Sequence, residues 1–489
     1  MIRWKLSGIA IAVLLAGCAG AVKLPDAQQV QGDQALQVAS AWQVNLPHSG
    51  STAQLVQWWA QSSDALLIEL MAAAQKESVT LAGAQTRIAQ ARAGVARSDD
   101  AISPNLALSV QGSRGVQAPK APPASSLSAG FQASWELDLW GGNKAALSAA
   151  QLRQSGAELG WHEARVAVAA EMASSYFAYR YCENLLDVLR LDAASREETA
   201  RLSDLTAKAG FTAPATAQLA RASSLDAASQ LTATQAQCDA QIKALVALSG
   251  ISEPTLRQKL EQNKAVAGKY IAQNAMFSVA TAVGNVPAQM LAQRPDVAAA
   301  QAAVATAALD ARSADARRYP SLALNGSIGM GATRQIGMSS EGLTWSLGPV
   351  ALNLPLTNQD VTRSNTEAAV AAYQEAVTAL RAKARQAISE VESSLVQLNA
   401  ANTRSGQAKA AADGYGASLA ATQSRYRAGL ASLVELEDAR RTALFAQQNQ
   451  LTVERDRIAA WIALYRATGG GWTSQTPVPA PAPASQVSQ

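Results

Sequence analysis

The sequence contains few of the residues that form most catalytic and metal sites. Its 489 residues include two histidines, His48 and His162, and three cysteines, and none has the spacing of a metal-ligand set. No glycine-rich loop follows a strand in the arrangement that binds phosphate. These absences argue against an enzyme and against a metal or a nucleotide as a bound cofactor.

Charged and aromatic residues are also scarce, at 16% and 5% of the chain. The net charge of +4 comes from basic residues that are scattered rather than clustered, which argues against a nucleic acid as partner. Alanine, serine and glutamine dominate instead. Small residues at this density favour closely packed helices over a bulky globular core.

The first eighteen residues have the composition of a secretory signal. Arg3 and Lys5 precede a short apolar run, and small residues lead directly to Cys18. The run is too short to span a membrane as a mature helix. The segment resembles a bacterial lipoprotein signal, which implies removal of residues 1–17 and a covalent lipid on Cys18. Ala19 implies delivery to the outer membrane; the alternative is an ordinary signal with an incidental cysteine.

Cys182 and Cys238 both fall in helical patterns. A buried thiol is a common state of a helical cysteine, so we expect two free thiols in apolar surroundings. Export into an oxidising compartment leaves a disulfide between them as the alternative. The distance that decides between the two states is not given by the sequence.

The chain contains two copies of one pattern, about 216 to 219 residues apart. Residues 103–108 return as 319–324, and residues 208–211 return as 427–430. Such a period is too long for a solenoid and indicates a duplicated half-molecule. Each copy has the same order of helix, strand, strand, very long helix, tight turn and second helix.

The patterns predict a mixed α/β protein of two repeats, 64–250 and 291–469. Within them, the predicted elements after the first helix of each repeat are strands 102–115 and 127–140, helices 143–206 and 215–249, strands 319–331 and 343–356, and helices 360–425 and 432–467. The remaining segments are an N-terminal anchored segment over 18–63, a linker over 251–290 and a Pro/Ala-rich tail over 470–489 that is predicted to be disordered.

The strands alternate apolar and polar residues over an unusual length. Thirteen positions alternate between Leu127 and Leu139, so one face is apolar and the other polar. This length suits a tilted membrane-crossing strand. In the last strand the alternation slips at Gly348-Pro349, which predicts a bulge or bend. Four strands are too few for a closed barrel, which needs at least eight, so two or three chains must share one.

The long helices are expected to pack side by side. The first would span about 64 residues, or roughly 95 Å, and Gly210 and Gly429 follow the two long helices where a left-handed turn ends a helix. In the second copy, apolar residues step by three and four, as in a coiled coil: Val370, Tyr373, Val377, Leu380, Ala384, Ile388, Val391, Leu395 and Leu398.

The chain resembles the outer membrane factors, the TolC/OprM-like channels, and most closely their lipidated, NodT-type branch. The resemblance covers nearly the whole chain and rests on Cys18 and on segments 133–141, 293–296, 319–322, 425–429 and 463–472. It implies a homotrimeric outer membrane factor fold. In this fold, four strands per chain contribute to a shared 12-stranded antiparallel β-barrel, which a long periplasmic α-helical coiled-coil barrel continues.

The resemblance also assigns site residues. Glu435 and Asp438 align with acids that form rings at the closed periplasmic aperture, and their spacing puts both on one helix face. The alternative is a solvated acidic face at a helix start, where the helix dipole favours carboxylates. Tyr426 aligns with a tyrosine that tethers the closed state.

The two tight turns are expected to form the tip that faces the adaptor, with Gly210 and Phe211 in one turn and Gly429 and Leu430 in the other. The sequence departs from the TolC pattern at two positions: Ala431 stands where a tethering arginine is expected, and Thr216 stands where an acid is expected. A different latch is therefore needed to hold the aperture closed.

These features predict an outer membrane exit duct that passively conducts small molecules such as drugs. The implied partners are a periplasmic adaptor (membrane fusion) protein, an inner-membrane pump of the resistance-nodulation-division type and outer membrane lipids. The alternatives are a type I-like duct for proteins or for metal ions, and a coiled-coil scaffold lipoprotein without a channel. An envelope enzyme is a more distant alternative.

Overall fold

A computed structural model describes six stretches of the chain: residues 22–35, 64–116, 122–264, 291–335, 338–354 and 359–472. The predicted signal peptide, Cys18, His48 and most of the Pro/Ala-rich tail lie outside the described residues. None of the described helices has an apolar stretch of sufficient length to cross a membrane.

The described residues form α-helices and one antiparallel sheet, and the order helix, strand, strand, long helix, turn, helix occurs twice. In chain order the elements are α1 (Ala27–Gln34), α2 (Ala65–Glu77), α3 (Val79–Asp100), β1 (Asn105–Gly115), β2 (Ala124–Leu137), α4 (Gly142–Lys208), α5 (Pro214–Ser249), α6 (Glu253–Gln262), α7 (Pro295–Ala316), β3 (Ser321–Gln335), β4 (Met338–Asn353), α8 (Gln359–Arg427) and α9 (Leu433–Ala467). A 3-10 turn at Gly469–Gly471 follows α9.

The chain divides into two compact units. One comprises the described parts of Met1–Leu36, Thr86–Leu159 and Ala298–Lys383, and contains the sheet. The other comprises the described parts of Gln37–Gln85, Gly160–Val297 and Ala384–Gln489, and contains α5, α6 and α9.

The sheet has the strand order β1-β2-β3-β4, and all neighbouring strands are antiparallel. Phe131 of β2 pairs with Leu108 of β1 and with Ile328 of β3, so the apolar positions of the four strands share one face. The register of β3 against β4 shifts between Leu324 and Gly326, and the Gly348-Pro349 bond is cis. The bulge predicted at Gly348-Pro349 is therefore confirmed.

The polar face of the sheet is formed mainly by serine, threonine, asparagine, glutamine, alanine and glycine. Ser113 and Ser126 are 2.7 Å apart across β1 and β2, and Ser327 and Ser346 are 2.8 Å apart across β3 and β4, oxygen to oxygen. Between β2 and β3 the backbones approach closely at Gly130 and Gly329. A Cβ added at Gly130 would lie 2.8 Å from the Cα of Gly329, so a larger residue does not fit there.

The strand bounds differ from the predicted ones at both ends of β2. The prediction of strand over 127–140 is wrong for residues 138–140, because the side chain of Asp138 ends the strand by capping the next helix. It accepts hydrogen bonds from the backbone N–H groups of Asn143 and Lys144 at 3.2 and 2.8 Å. Trp140 instead donates from Nε1 to the Pro320 carbonyl at 2.8 Å and stacks on Tyr319.

The long helices α4 and α8 have 67 and 69 residues, which corresponds to about 100 Å each. Most of the apolar residues predicted to form a seam on α8 are buried, including Tyr373, Leu380, Val391, Leu395 and Leu398. The seam prediction is thus confirmed at these positions. The helix that the sequence predicts from residue 64 onward is interrupted at Ser78, whose Oγ accepts the backbone N–H of Leu81 at the start of α3.

A buried polar network joins the start of α2, the middle of α4 and the end of α6. Arg180, with 1% of its surface exposed, donates to the Tyr176 hydroxyl, to Glu183 and to the Leu260 carbonyl. The Tyr176 hydroxyl in turn donates to Asp64 at 2.5 Å. Burial raises the pKa of the Tyr176 hydroxyl far above its ordinary value, so the group remains a neutral donor.

Residues 294–296, at the start of α7, contact the end of α9 and lie next to the glycines that follow it. This agrees with the structural role expected from proline at a helix start. Pro295 begins α7, and the buried Arg294 donates to both oxygens of Asp296 and to the Ala467 carbonyl. Gly469 has φ +79°, and a Cβ there would lie 2.5 Å from the Gln293 carbonyl oxygen. Only glycine combines that backbone angle with so close an approach.

Candidate functional site

The two tight turns have the same backbone geometry. In the first, Phe211 N–H donates to the Thr206 carbonyl at 2.9 Å and Gly210 N–H to the Ala207 carbonyl at 3.0 Å. This pair of bonds is a Schellman motif, and Gly210 has the left-handed φ of +79° that the motif requires.

The second turn repeats this motif. Leu430 N–H donates to Arg425 and Gly429 N–H to Tyr426, at 2.8 and 3.0 Å, with Gly429 at φ +74°. The glycines of both turns therefore have the conformation that the sequence predicts.

Each turn exposes one large apolar side chain immediately after its glycine. Phe211 has 86% of its surface exposed and Leu430 has 71%. In many Schellman motifs this residue packs back onto its own helix. Here both side chains extend into solvent within the described chain, so each turn offers an apolar contact at its apex.

The helices that follow the two turns begin differently. α9 begins with a capping box, in which Ser432 Oγ accepts the Glu435 N–H at 3.1 Å and the Glu435 carboxylate accepts the Ser432 N–H at 2.6 Å. α5 begins with Pro214 after Ala213, which provides no side-chain cap. The repeats thus share a turn but not the polar chemistry that follows it.

Glu435 combines this structural role with an exposed negative charge. The backbone N–H of Ser432 and, second to it, the Ser432 hydroxyl hold the pKa of the Glu435 carboxyl below its ordinary value. Arg425 adds a weaker favourable charge at 3.8 Å. Asp438, one turn further on, is exposed and forms an ion pair with Arg441 of its own helix. Within one chain the two predicted aperture acids therefore have separate partners.

Tyr426 lies in an apolar cluster rather than in a polar network of the described residues. The cluster consists of buried Ala220, Leu433 and Leu436 with partly buried Ala200, Leu419 and Tyr426. These residues come from the tip ends of α4, α5, α8 and α9, so the cluster holds the four helices together next to the turns.

A second set of residues, which the sequence did not single out, links three of these helices. Glu437 of α9 accepts hydrogen bonds from Arg196 of α4 at 3.1 Å and from Ser223 of α5 at 2.6 Å, both on Oε2. Its Oε1 accepts from Arg440 at 2.8 Å. We call Arg196, Ser223, Glu437 and Arg440 the polar clamp.

The clamp is largely shielded from water. The side chains of Arg196 and Glu437 are 13% and 14% exposed, and Arg440 is buried. Arg440 also donates to Ser195 Oγ and Thr199 Oγ1 of α4 at 2.9 and 2.8 Å. Coulomb attraction is stronger in such a setting than at the surface, because less water screens it.

A signal for the clamp exists in the sequence. Leu433, Leu436, Arg440 and Ala443 step by three and four along α9, and all four are buried. An arginine in a buried stripe requires an acceptor from a neighbouring helix. The periodicity of α9 could therefore have identified Arg440, although not its partners on α4.

Cys182 of α4 and Cys238 of α5 form a disulfide in this unit. Their Cα atoms are 5.6 Å apart, and both cysteines are buried beside Leu186 and Leu231. The expectation of two free thiols is therefore wrong. The packing of α5 along α4 brings two residues that are 56 positions apart to bonding distance, and helical periodicity does not report that register.

Comparison with known proteins agrees with the fold and with the repeat. The family model for "Outer membrane efflux protein" matches residues 70–251 and 286–470, one segment for each repeat. The pyoverdine export outer membrane protein OpmQ of Pseudomonas aeruginosa is 27% identical, over 95% of this chain and 96% of the relative. The probable outer membrane lipoprotein SilC of Salmonella typhimurium is 22% identical, over 96% of this chain and all of the relative.

Among solved structures, the Campylobacter jejuni CmeC outer membrane channel has a similar fold. The TM-score is 0.73 at 19% identity, over 90% of this chain and 96% of that one. The predicted fold class of the outer membrane factors is thereby confirmed. Because the family model covers most of the sequence, the chain belongs to the outer membrane efflux protein family.

Proposed function

We propose that this protein is the outer membrane exit duct of a tripartite efflux system and acts as a passive homotrimeric channel. The sheet carries the proposal. It has one apolar face and one polar face, and β1 and β4 each have an edge without a partner strand within the described chain. Three copies joined edge to edge would close twelve strands, with every backbone group of the ladder paired.

The polar face supports a water-filled lumen. Within the four described strands, Glu136 is the one ionisable residue that the register assigns to this face. Hydroxyl and amide groups dominate the rest. A lumen of this kind hydrates solutes without a strong preference for either sign of charge.

The helical hairpins support docking to an adaptor and a pump. α4 and α8 are each about 100 Å long, and their turns expose Phe211 and Leu430. These exposed apolar side chains offer a contact for such a partner. The energy for export would come from the inner-membrane pump.

The gate is proposed at the tip. Rings of Glu435 and Asp438 from three subunits would attract cations and store like-charge repulsion in the closed state. The polar clamp is our candidate for the latch that replaces the missing arginine and acid at Ala431 and Thr216, because it ties α9 to α4 and α5 within one subunit. Tyr426 would contribute packing.

A covalent lipid on Cys18 would add a second attachment to the membrane beside the strands. The relative SilC is named a probable outer membrane lipoprotein, which supports this assignment. The relative OpmQ is named for pyoverdine export, which supports a small molecule rather than a protein as cargo.

The test uses full-length protein extracted from outer membranes. We expect heat-labile trimers in outer-membrane fractions and discrete conductance steps in planar bilayers. Cys18→Ser should remove the mass of the lipid from the mature chain while conductance persists. A soluble monomer after removal of the lipid, without conductance, would rule out the channel and favour a scaffold lipoprotein.

A further inference from the structure

Two arginines lie in one row on the apolar face of the sheet. Ser125 of β2 pairs with Arg114 of β1 on one side and with Arg334 of β3 on the other. Directly paired residues share a face, and Ser125 shares its face with Leu127 and Phe131 because alternate residues of a strand do so. The Cα atoms of the two arginines are therefore two strand spacings apart, about 10 Å.

The guanidinium groups of Arg114 and Arg334 have no ion pair and no side-chain hydrogen bond with other described residues, and both side chains are exposed. The register assigns one more charged residue of the described strands to this face, Glu341 of β4. It pairs with Ala332, in the row next to that of the two arginines. The end of the face therefore carries an excess of positive charge.

The distance from the row of Arg114, Ser125 and Arg334 to the opposite end of the strands is about the thickness of a membrane. Ser125 and Leu137 are twelve positions apart on β2, and Leu137 is at the end that leads to α4. Twelve steps of about 3.3 Å, tilted by about 40°, correspond to a height of roughly 30 Å. The intervening positions of this face are mostly apolar, and Trp135 lies near the far end. If the strands cross the membrane as proposed above, the arginines lie at the headgroup level of the outer leaflet.

We propose that Arg114 and Arg334 bind the phosphate of a phosphorylated glycolipid in the outer leaflet of the outer membrane. Guanidinium groups bind phosphate through paired, charge-assisted hydrogen bonds. The Ser125 hydroxyl between them is a further donor. The acyl chains of the same lipid would lie against the next rows of this face, which include Val110, Leu127 and Met330. This inference rests on the proposed function, since that function assigns this end of the sheet to the exterior.

The test measures lipid retention by the full-length trimer in detergent with native mass spectrometry. The probe is diphosphoryl lipid A, compared with dipalmitoyl phosphatidylglycerol and with inorganic phosphate as a competitor. We expect wild-type trimer to retain lipid A in preference to phosphatidylglycerol. Arg114→Gln with Arg334→Gln should weaken retention by about tenfold, and Glu341→Gln should strengthen it.

The matched control is Arg92→Gln, which removes the same charge from an exposed position on α3. Its lipid retention should equal that of the wild type. Equal retention by wild type and the double variant would overturn the proposal. Equal retention of phosphatidylglycerol, or release of lipid A by millimolar inorganic phosphate, would overturn the assignment to a glycolipid.

Failure of this inference is distinguishable from failure of the proposed function. Both arginine side chains are exposed, so the double variant should assemble and conduct like the wild type in planar bilayers. Conduction by both proteins with unchanged lipid retention overturns the lipid site alone. Absence of conductance in wild-type protein overturns the channel itself.

Discussion

Arg196 on α4 donates a hydrogen bond to Glu437 on α9, with Nη1 3.1 Å from Oε2, although the two residues are 241 positions apart. The bond joins the long helix of the first repeat to the returning helix of the second. Ser223 and Arg440 donate hydrogen bonds to the same carboxylate. A single side chain thus connects both halves of the duplication beside the tip.

Removing the charge of Glu437 should loosen this connection. Glu437→Gln leaves the buried Arg440 without its carboxylate partner and leaves Arg196 with Asp192 alone, which we expect to cost about 3 kcal/mol. Hydrogen–deuterium exchange should show faster exchange of tip amides in α5 and α9. The control is Glu367→Gln, which removes the exposed ion pair with Arg363 and should change stability by less than about 0.5 kcal/mol. Equal exchange in both variants would contradict a structural role for the clamp.

The aperture hypothesis predicts a change in conductance when the two acids lose their charge. Glu435→Gln keeps the capping box, because glutamine also serves at this position, and Asp438→Asn keeps the size of that side chain. The double variant should conduct better and select less for cations, since the like-charge rings are gone. Ser432→Ala, which removes the cap but not the charges, should not reproduce this selectivity change in planar bilayers. Unchanged selectivity in the double variant would remove both residues from the gate.

The capping box also predicts a dependence of tip stability on pH. The pKa of Glu435 is lowered in the folded chain, so the stabilisation is present above the ordinary glutamate range. It is lost as the pH falls through the lowered pKa. After correction for the intrinsic exchange rate at each pH, the protection of the amides at the start of α9 should therefore fall in acid, relative to that of α5. Glu435→Gln should remove this acid-dependent difference.

The disulfide predicts a measurable loss of stability on its removal. A closed loop of 56 residues corresponds to about 4 kcal/mol in the chain-entropy model. Cys182→Ala with Cys238→Ala should lower the urea midpoint of the trimer, and reductant should then have no further effect. Alkylation of unfolded, unreduced protein should label neither cysteine. Labelling of both without reductant would show free thiols instead.

The close approach of β2 and β3 predicts opposite outcomes for two neighbouring glycines. A Cβ at Gly329 would lie 2.6 Å from the Ala129 carbonyl oxygen, whereas a Cβ at Gly331 meets nothing within 4 Å. Gly329→Ala should therefore reduce the yield of heat-labile trimer, while Gly331→Ala should leave it unchanged. Equal yields would show that the strands can move apart at little cost.

Several features of the fold could be predicted because they depend on local sequence. The glycines after α4 and α8 predict a left-handed turn, and the change in apolar alternation at Gly348-Pro349 predicts a bulge. The end of β2 could not be predicted from alternation, because Leu139 continues the apolar pattern while Asp138 leaves the strand to cap α4. A capping interaction overrides periodicity there, since it satisfies helix N–H groups that otherwise lack partners.

By itself, the sequence determined the duplicated order of elements, the two-faced strands and the length of the helices, because each follows from the period of apolar residues along the chain. The tertiary structure alone decided which side chains meet. The partners in Arg196–Glu437, Cys182–Cys238 and the row of Arg114 and Arg334 come from different elements. Their meeting depends on helix register and strand pairing, and periodicity within a single element carries no information about either.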